Sequence, residues 1–134
     1  MSISTFVDKP GASAKASAAL AKGRFVVRAG TGTQVAAAGA ANWAIGVTAD
    51  SAAAANDSVK LYLPGQVAKV QCSSVIAAGA ATGGIPLGVD ASGMARSAEA
   101  GDRIMALYMP GDGEACAAND FITVLVLDGT SVQA

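Results

Sequence analysis

The tetrapeptide Ala54-Ala55-Asn56-Asp57 returns as Ala117-Ala118-Asn119-Asp120, and each copy opens an apolar run: Ser58-Val59-Lys60-Leu61-Tyr62-Leu63 in the first case, Phe121-Ile122-Thr123-Val124-Leu125-Val126 in the second. The echo continues upstream. Leu20-Ala21-Lys22-Gly23 matches Ile76-Ala77-Ala78-Gly79, and Gly32-Thr33-Gln34-Val35-Ala36 resembles Ser92-Gly93-Met94-Ala95-Arg96. Ile45-Gly46-Val47 falls where Ile104-Met105-Ala106-Leu107 falls. A repeat of this kind restricts the fold, because both halves must build the same supersecondary unit. Each half reads as turn, strand, turn, short strand, strand, turn, strand.

The runs themselves have the period of strands. Val59, Leu61 and Leu63 alternate with Ser58, Lys60 and Tyr62, and Ala68, Val70 and Cys72 alternate with Val67, Lys69 and Gln71. Such alternation marks half-buried strands. Pro64-Gly65 lies between them, so the spacing predicts a hairpin about a Pro-Gly turn. Further strands are expected at 24–28, 34–38, 44–48, 85–89, 94–96, 103–109 and 121–127. Pro86 marks its run as an edge strand or places it at a strand's start. Turns every eight to twelve residues or so are the signature of an all-β fold. The expected architecture is a small β-barrel or β-sandwich of short antiparallel strands, with the pseudo-repeat contributing two similar sheets.

Residues 1–18 read as an extended N-terminal arm preceding a β-domain at 19–134. Ile3, Phe6 and Val7 precede Pro10-Gly11, and the following alanine- and lysine-rich stretch 12–22 allows a short helix but has no apolar face. The opening residues lack the charged start and apolar run of a secretory signal. No stretch of 18 apolar residues occurs, so no helical membrane span is expected.

Composition narrows the function. At 134 residues, one domain able to bury roughly two-thirds of its unfolded surface is expected. Nine basic residues face ten acidic ones, which argues against a nucleic-acid binder. Charged residues are only 14% against 52% hydrophobic, a balance suited to a protein that hides surface in a partner or an oligomer. The absence of histidine removes Ser-His and Cys-His nucleophilic pairs and histidine zinc sites. Aromatic residues, at 4%, are too few for a base-stacking platform.

Motifs that imitate chemistry have plainer readings. Gly30-Thr31-Gly32-Thr33 lacks the lysine and helix start of a phosphate loop, and reads as a hairpin turn. Asp90-Ala91-Ser92-Gly93 and Asp112-Gly113 lack the calcium-loop spacing and read as turns. No carboxylate pair has a spacing that demands a shared site, so no enzyme, metal or cofactor is expected. Cys72 and Cys116 read as buried free thiols, with a bridge as the alternative. Trp43, the single tryptophan, is either a core plug or an interface anchor. Ile3 and Phe6 either tuck back onto the barrel or bind a neighbouring protein. Ile3, Phe6, Val7 and Trp43 are therefore the candidate interface residues.

The series Leu20-Ala21-Lys22-Gly23, Gly32-Thr33-Gln34-Val35-Ala36, Ile45-Gly46-Val47 and Asn56-Asp57 with its following strand resembles the small Ala/Gly-rich decoration, or cement, proteins of tailed-phage capsids. The resemblance spans residues 19 to 127. It departs at Asn56-Asp57, where that family often has Gly-Asp, and at Met105-Ala106, which replaces the second Gly-Val. It implies a head-stabilising virion protein, made in the host cytoplasm and carried on the outer capsid surface. There it would staple neighbouring major capsid subunits, as a homo-oligomer with trimers favoured and dimers an alternative. The N-terminal arm would reach over adjacent subunits. A head-fibre or tail module is the next expectation, and a small ligand- or carbohydrate-binding barrel the third.

Overall fold

The computed structural model describes residues 7–29, 34–40, 42–76, 84–108 and 116–134. Every regular element among them is a β-strand. β1 (Ala12–Ala16), β2 (Phe25–Arg28), β3 (Gln34–Ala37), β4 (Gly46–Thr48) and β5 (Ser58–Tyr62) make the first unit. β6 (Val67–Gln71), β7 (Ile85–Val89), β8 (Ala95–Ser97), β9 (Ala106–Tyr108) and β10 (Phe121–Val126) make the second. The first unit is a closed barrel in the order β1-β3-β2-β4-β5, with β5 returning to β1. The second is a curled sheet in the order β6-β10-β9-β7-β8. Replacing each strand of the first by the strand five places later reproduces every antiparallel pairing of the second.

The closure distinguishes them. In the first unit β1 and β3 run parallel through Lys15↔Gln34 and Ala16↔Val35. In the second, the equivalent closure shrinks to one parallel bridge, Cys72↔Ala95.

The repeat persists at the level of single hydrogen bonds. The Ala16 N–H donates to the Asp57 carbonyl at 2.9 Å, and the Cys72 N–H to that of Asp120 at 2.9 Å. In return the Asn56 N–H reaches the Ala16 carbonyl at 2.8 Å, and the Asn119 N–H that of Cys72 at 2.7 Å. Asn56 and Asn119 both take φ 70, the left-handed region that asparagine tolerates. The Asp57 carboxylate accepts from the N–H groups of Ala53 and Ala54, and that of Asp120 from Ala117. The repeated tetrapeptide is thus a turn that launches the last strand of each unit.

Core residues repeat as well. Ala16, Leu20, Val26, Val35, Ala52, Val59 and Leu61 form the core of the barrel. At the corresponding places of the second unit stand Cys72, Ile76, Leu87, Ala95, Cys116, Ile122 and Val124, all buried. Small and branched side chains suit the narrow interior of a five-stranded barrel.

The first unit fills the seam that the second leaves. Gln71 accepts the Arg24 Nη2 at 3.1 Å on one side, and the Ser92 carbonyl accepts Arg24 Nη1 at 3.1 Å on the other. The Phe25 N–H donates to the Gly93 carbonyl at 2.8 Å, and the Gln71 N–H to the Gly23 carbonyl at 2.9 Å. Phe25 is wholly buried in a cluster that joins Ala38, Ala44 and Val47 of the first unit to the core of the second, whereas its neighbour Val26 belongs to the core of the barrel. Successive side chains of β2 point to opposite faces, so one strand serves both cores.

The structure corrects two expectations. The arm cannot extend to residue 18, because β1 pairs with both β3 and β5. Alanine there reads as a helix former in isolation, yet a small side chain is what the barrel interior accepts. Residues ahead of it are also tied down: the Asp8 N–H donates to the Val67 carbonyl at 2.9 Å, and the Val67 N–H to the Asp8 carboxylate at 2.7 Å. The Pro64-Gly65 turn is not a hairpin. It carries the chain from one unit to the other, since β5 pairs with β1 and β4 while β6 pairs with β10. Turn chemistry is local and does not reveal which edges are already taken. Pro86 is the second residue of β7, an interior strand, so its place is at a strand's start rather than on an edge. The Asp90–Gly93 turn is present, with Asp90 accepting the N–H groups of Ser92 and Met94. The turns expected at Gly30–Thr33 and Asp112-Gly113 lie outside the described residues.

Candidate interaction surface

Trp43 is not a core plug. Its side chain is 54% exposed, and it reaches the surface just ahead of β4. The indole Nε1 donates to the Asp128 carbonyl at 2.6 Å. The Arg103 guanidinium stacks 3.9 Å from the ring centroid and donates through Nη1 to the Gly129 carbonyl at 2.9 Å. Residues 128–130 form the turn that receives both. The Asp128 carboxylate accepts the Thr130 N–H and hydroxyl, and those bonds hold its pKa below the ordinary value. Gly129 has φ +76, and a Cβ there would lie 2.7 Å from the indole. Only glycine lets the turn approach the ring this closely.

Two further exposed aliphatic side chains belong to neighbouring stretches of chain. Ile45, two residues along, is exposed, and so is Val132, whose backbone pairs with Arg103. Tryptophan and arginine are what protein interfaces enrich in their centres. A stacked guanidinium also fixes the ring in advance, which lowers the ordering cost of binding.

A second feature is a groove of about 500 Å³ at the junction of the two units. Val7 lines it with Lys22 and Tyr62 from the first unit and Lys69 and Phe121 from the second. The Lys22 ammonium lies 5.5 Å from the Phe121 ring centroid. Burial, with a smaller contribution from the charge of Asp8, raises the Tyr62 pKa above its ordinary value. Gly23, at φ +72, faces Phe121 so closely that a Cβ would sit 2.6 Å from the ring.

Of the residues singled out in the sequence, Val7 and Trp43 stand on separate features of this surface, and Ile3 and Phe6 lie outside the described residues. Arg103, Lys22, Lys69 and Phe121 carried no signal, because residues distant in the chain assemble each cluster. Among the described residues no group of three or more Cys, Asp or Glu could hold a metal ion. The buried carboxylate of Asp102 is engaged by Arg96 Nη2 at 3.1 Å and by the Glu99 N–H at 3.0 Å, and it anchors the turn after β8. Cys72 and Cys116 are both free and buried, with their sulfur atoms 3.0 Å apart.

No protein-family model matches the chain. No curated protein matches it either. Among solved structures, the fold is similar to the crystal structure of the head fiber gp8.5 N base of bacteriophage phi29, with a TM-score of 0.67 at 13% sequence identity. The likeness covers 90% of this chain and 96% of that one, so the shared fold takes in both five-stranded units.

Proposed function

We propose that the chain is a structural protein of a bacteriophage head, seated on the outer surface of the shell. The observation that carries this reading is the likeness to a phage head fibre module across both units. The sequence resemblance to capsid decoration proteins points to the same particle by an independent route. The low charge of 14% and the Trp43–Arg103 cluster fit a protein whose working state is bound to others.

In this reading each copy acts as a staple. The Trp43–Arg103 cluster and the junction groove share no residue, so a copy has two separate features with which to engage two shell subunits, or one subunit and a sister copy. Modest contacts then add, because the first attachment raises the effective concentration for the second. Subunit separation under internal DNA pressure must break both at once. Trimers around a symmetry axis are the favoured assembly.

The fibre likeness favours a second reading, in which the two units form the base that roots a fibre in the head. Both place the chain on the head exterior and differ in number. The test is attachment. Purified protein added to heads lacking it should co-sediment saturably, and the loaded heads should release DNA at a higher temperature. Saturable binding with no gain in heat resistance favours the fibre base over the staple. No co-sedimentation at micromolar concentration removes both.

A further inference from the structure

We infer that Cys72 and Cys116 are a latent disulfide, which a low-molecular-weight disulfide such as oxidised glutathione converts into an intramolecular bond that locks the second unit. The inference stands on the core geometry and does not depend on the virion reading.

The two sulfur atoms are 3.0 Å apart in the core, and an S–S bond needs about 2.05 Å. An adjustment of about one ångström joins them, within reach of side-chain torsions. Their place in the topology gives the bond its effect. Cys72 follows β6 and supplies the only parallel bridge, to Ala95, among the described pairings that close the second ring. Cys116 is held to Ile76 by two backbone hydrogen bonds of 3.2 Å. The span between the cysteines contains β7, β8 and β9. A bond there would enclose most of the second sheet in a covalent loop, at the unit with the weaker closure. The first unit has Ala16 and Ala52 at the corresponding places and a two-residue closure. The thiols are therefore not required to fill this kind of core.

The reaction balances with the named oxidant. One protein thiolate attacks a sulfur of oxidised glutathione, forming a mixed disulfide and releasing one glutathione thiolate. The second protein thiolate attacks the protein sulfur of that mixed disulfide and expels the second glutathione. The two protein protons pass to the two glutathione thiolates. Both cysteines are buried, and burial together with the Cys116 contact pushes the Cys72 thiol up to about 12. Attack therefore waits on local opening, and the bond forms slowly in the native protein.

The experiment uses the full chain, purified reduced and then incubated with oxidised glutathione at rising temperature below the unfolding midpoint. Samples are denatured, alkylated and weighed intact. The expected product is a monomer that has lost two hydrogens and takes no alkyl group, with a Tm raised by roughly 10 °C that returns on reduction. Cys72→Ala and Cys116→Ala, which copy the first unit, should each keep one alkylatable thiol and show no such rise. Two thiols still free after prolonged incubation overturn the inference. So do glutathione adducts without an internal bond, or bonds only between chains. A bond that forms without raising Tm overturns the locking role.

Discussion

Replacing Phe25 by alanine tests whether the two units are one folding body. The ring is wholly buried, carried by a strand of the barrel but packed in the cluster that continues into the core of the second unit. Its removal deletes the transfer free energy of a full aromatic side chain and leaves a cavity, together about 3–5 kcal/mol. A protein of this size has a total stability of about 5–15 kcal/mol, so the loss is a large share. At about 4 °C per kcal/mol, the midpoint should fall by roughly 12–20 °C. The next residue supplies the control. Val26 is equally buried but belongs to the barrel core, and Val26→Ala should cost about 2 kcal/mol. Thermal and urea unfolding, followed by far-ultraviolet circular dichroism and by Trp43 fluorescence, should show one coincident transition in wild type and in both variants. Two separated transitions, or a Phe25→Ala cost below about 1 kcal/mol, would refute the claim that the first unit plugs the seam of the second.

Other consequences follow from single positions. Gly93→Ala should destabilise by about 2–3 kcal/mol, because a left-handed φ of +81 combines with a Cβ only 2.9 Å from the Phe25 carbonyl oxygen. Gly101→Ala, at φ +89 with open space around it, should cost only about 1 kcal/mol in the same denaturant titration. In alkali the reduced protein should lose stability. The folded Cys72 thiol is raised from 9.0 to about 12, so its contribution is complete below pH 9 and lost as pH climbs towards 12. Cys72→Ala should flatten that slope in urea melts, and an unchanged slope would assign it to other groups. Deleting residues 2–18 removes β1 and should abolish the native dichroism spectrum. Deleting only 2–6 should leave the spectrum intact and weaken attachment to heads; unchanged attachment would remove the arm from the binding surface.

The sequence carried much of this fold, for a definable reason. Strand alternation and the repeated Ala-Ala-Asn-Asp turn are local signals, and a duplication makes each one count twice. Asn56 and Asn119 share a backbone conformation because they share a turn. What escaped the sequence depends on tertiary partners. Whether Ala14 and Ala16 lie in a helix or a strand is decided by the narrow barrel that receives them, not by alanine's own preference. Whether Pro64-Gly65 folds a hairpin is decided by edges that distant strands occupy. The seam was visible only as the continuous apolar run Phe25-Val26-Val27, which marks a strand covered on both faces without saying by what. Likewise the tryptophan advertised an anchor, but its Arg103 partner and the Gly129 turn are 60 or more residues away in the chain.

The central claim is that this chain is built into phage heads on their outer surface, and counting it there tests that claim most directly. Particles purified from the source lysate would be quantified for this chain against the major capsid protein. A brief protease treatment of intact particles would show whether the counted copies face outward. The account predicts a protease-accessible protein, near one copy per capsid subunit for a staple or a small fixed number for a fibre base. Its absence from purified particles, or its presence only behind an intact shell, would contradict the account.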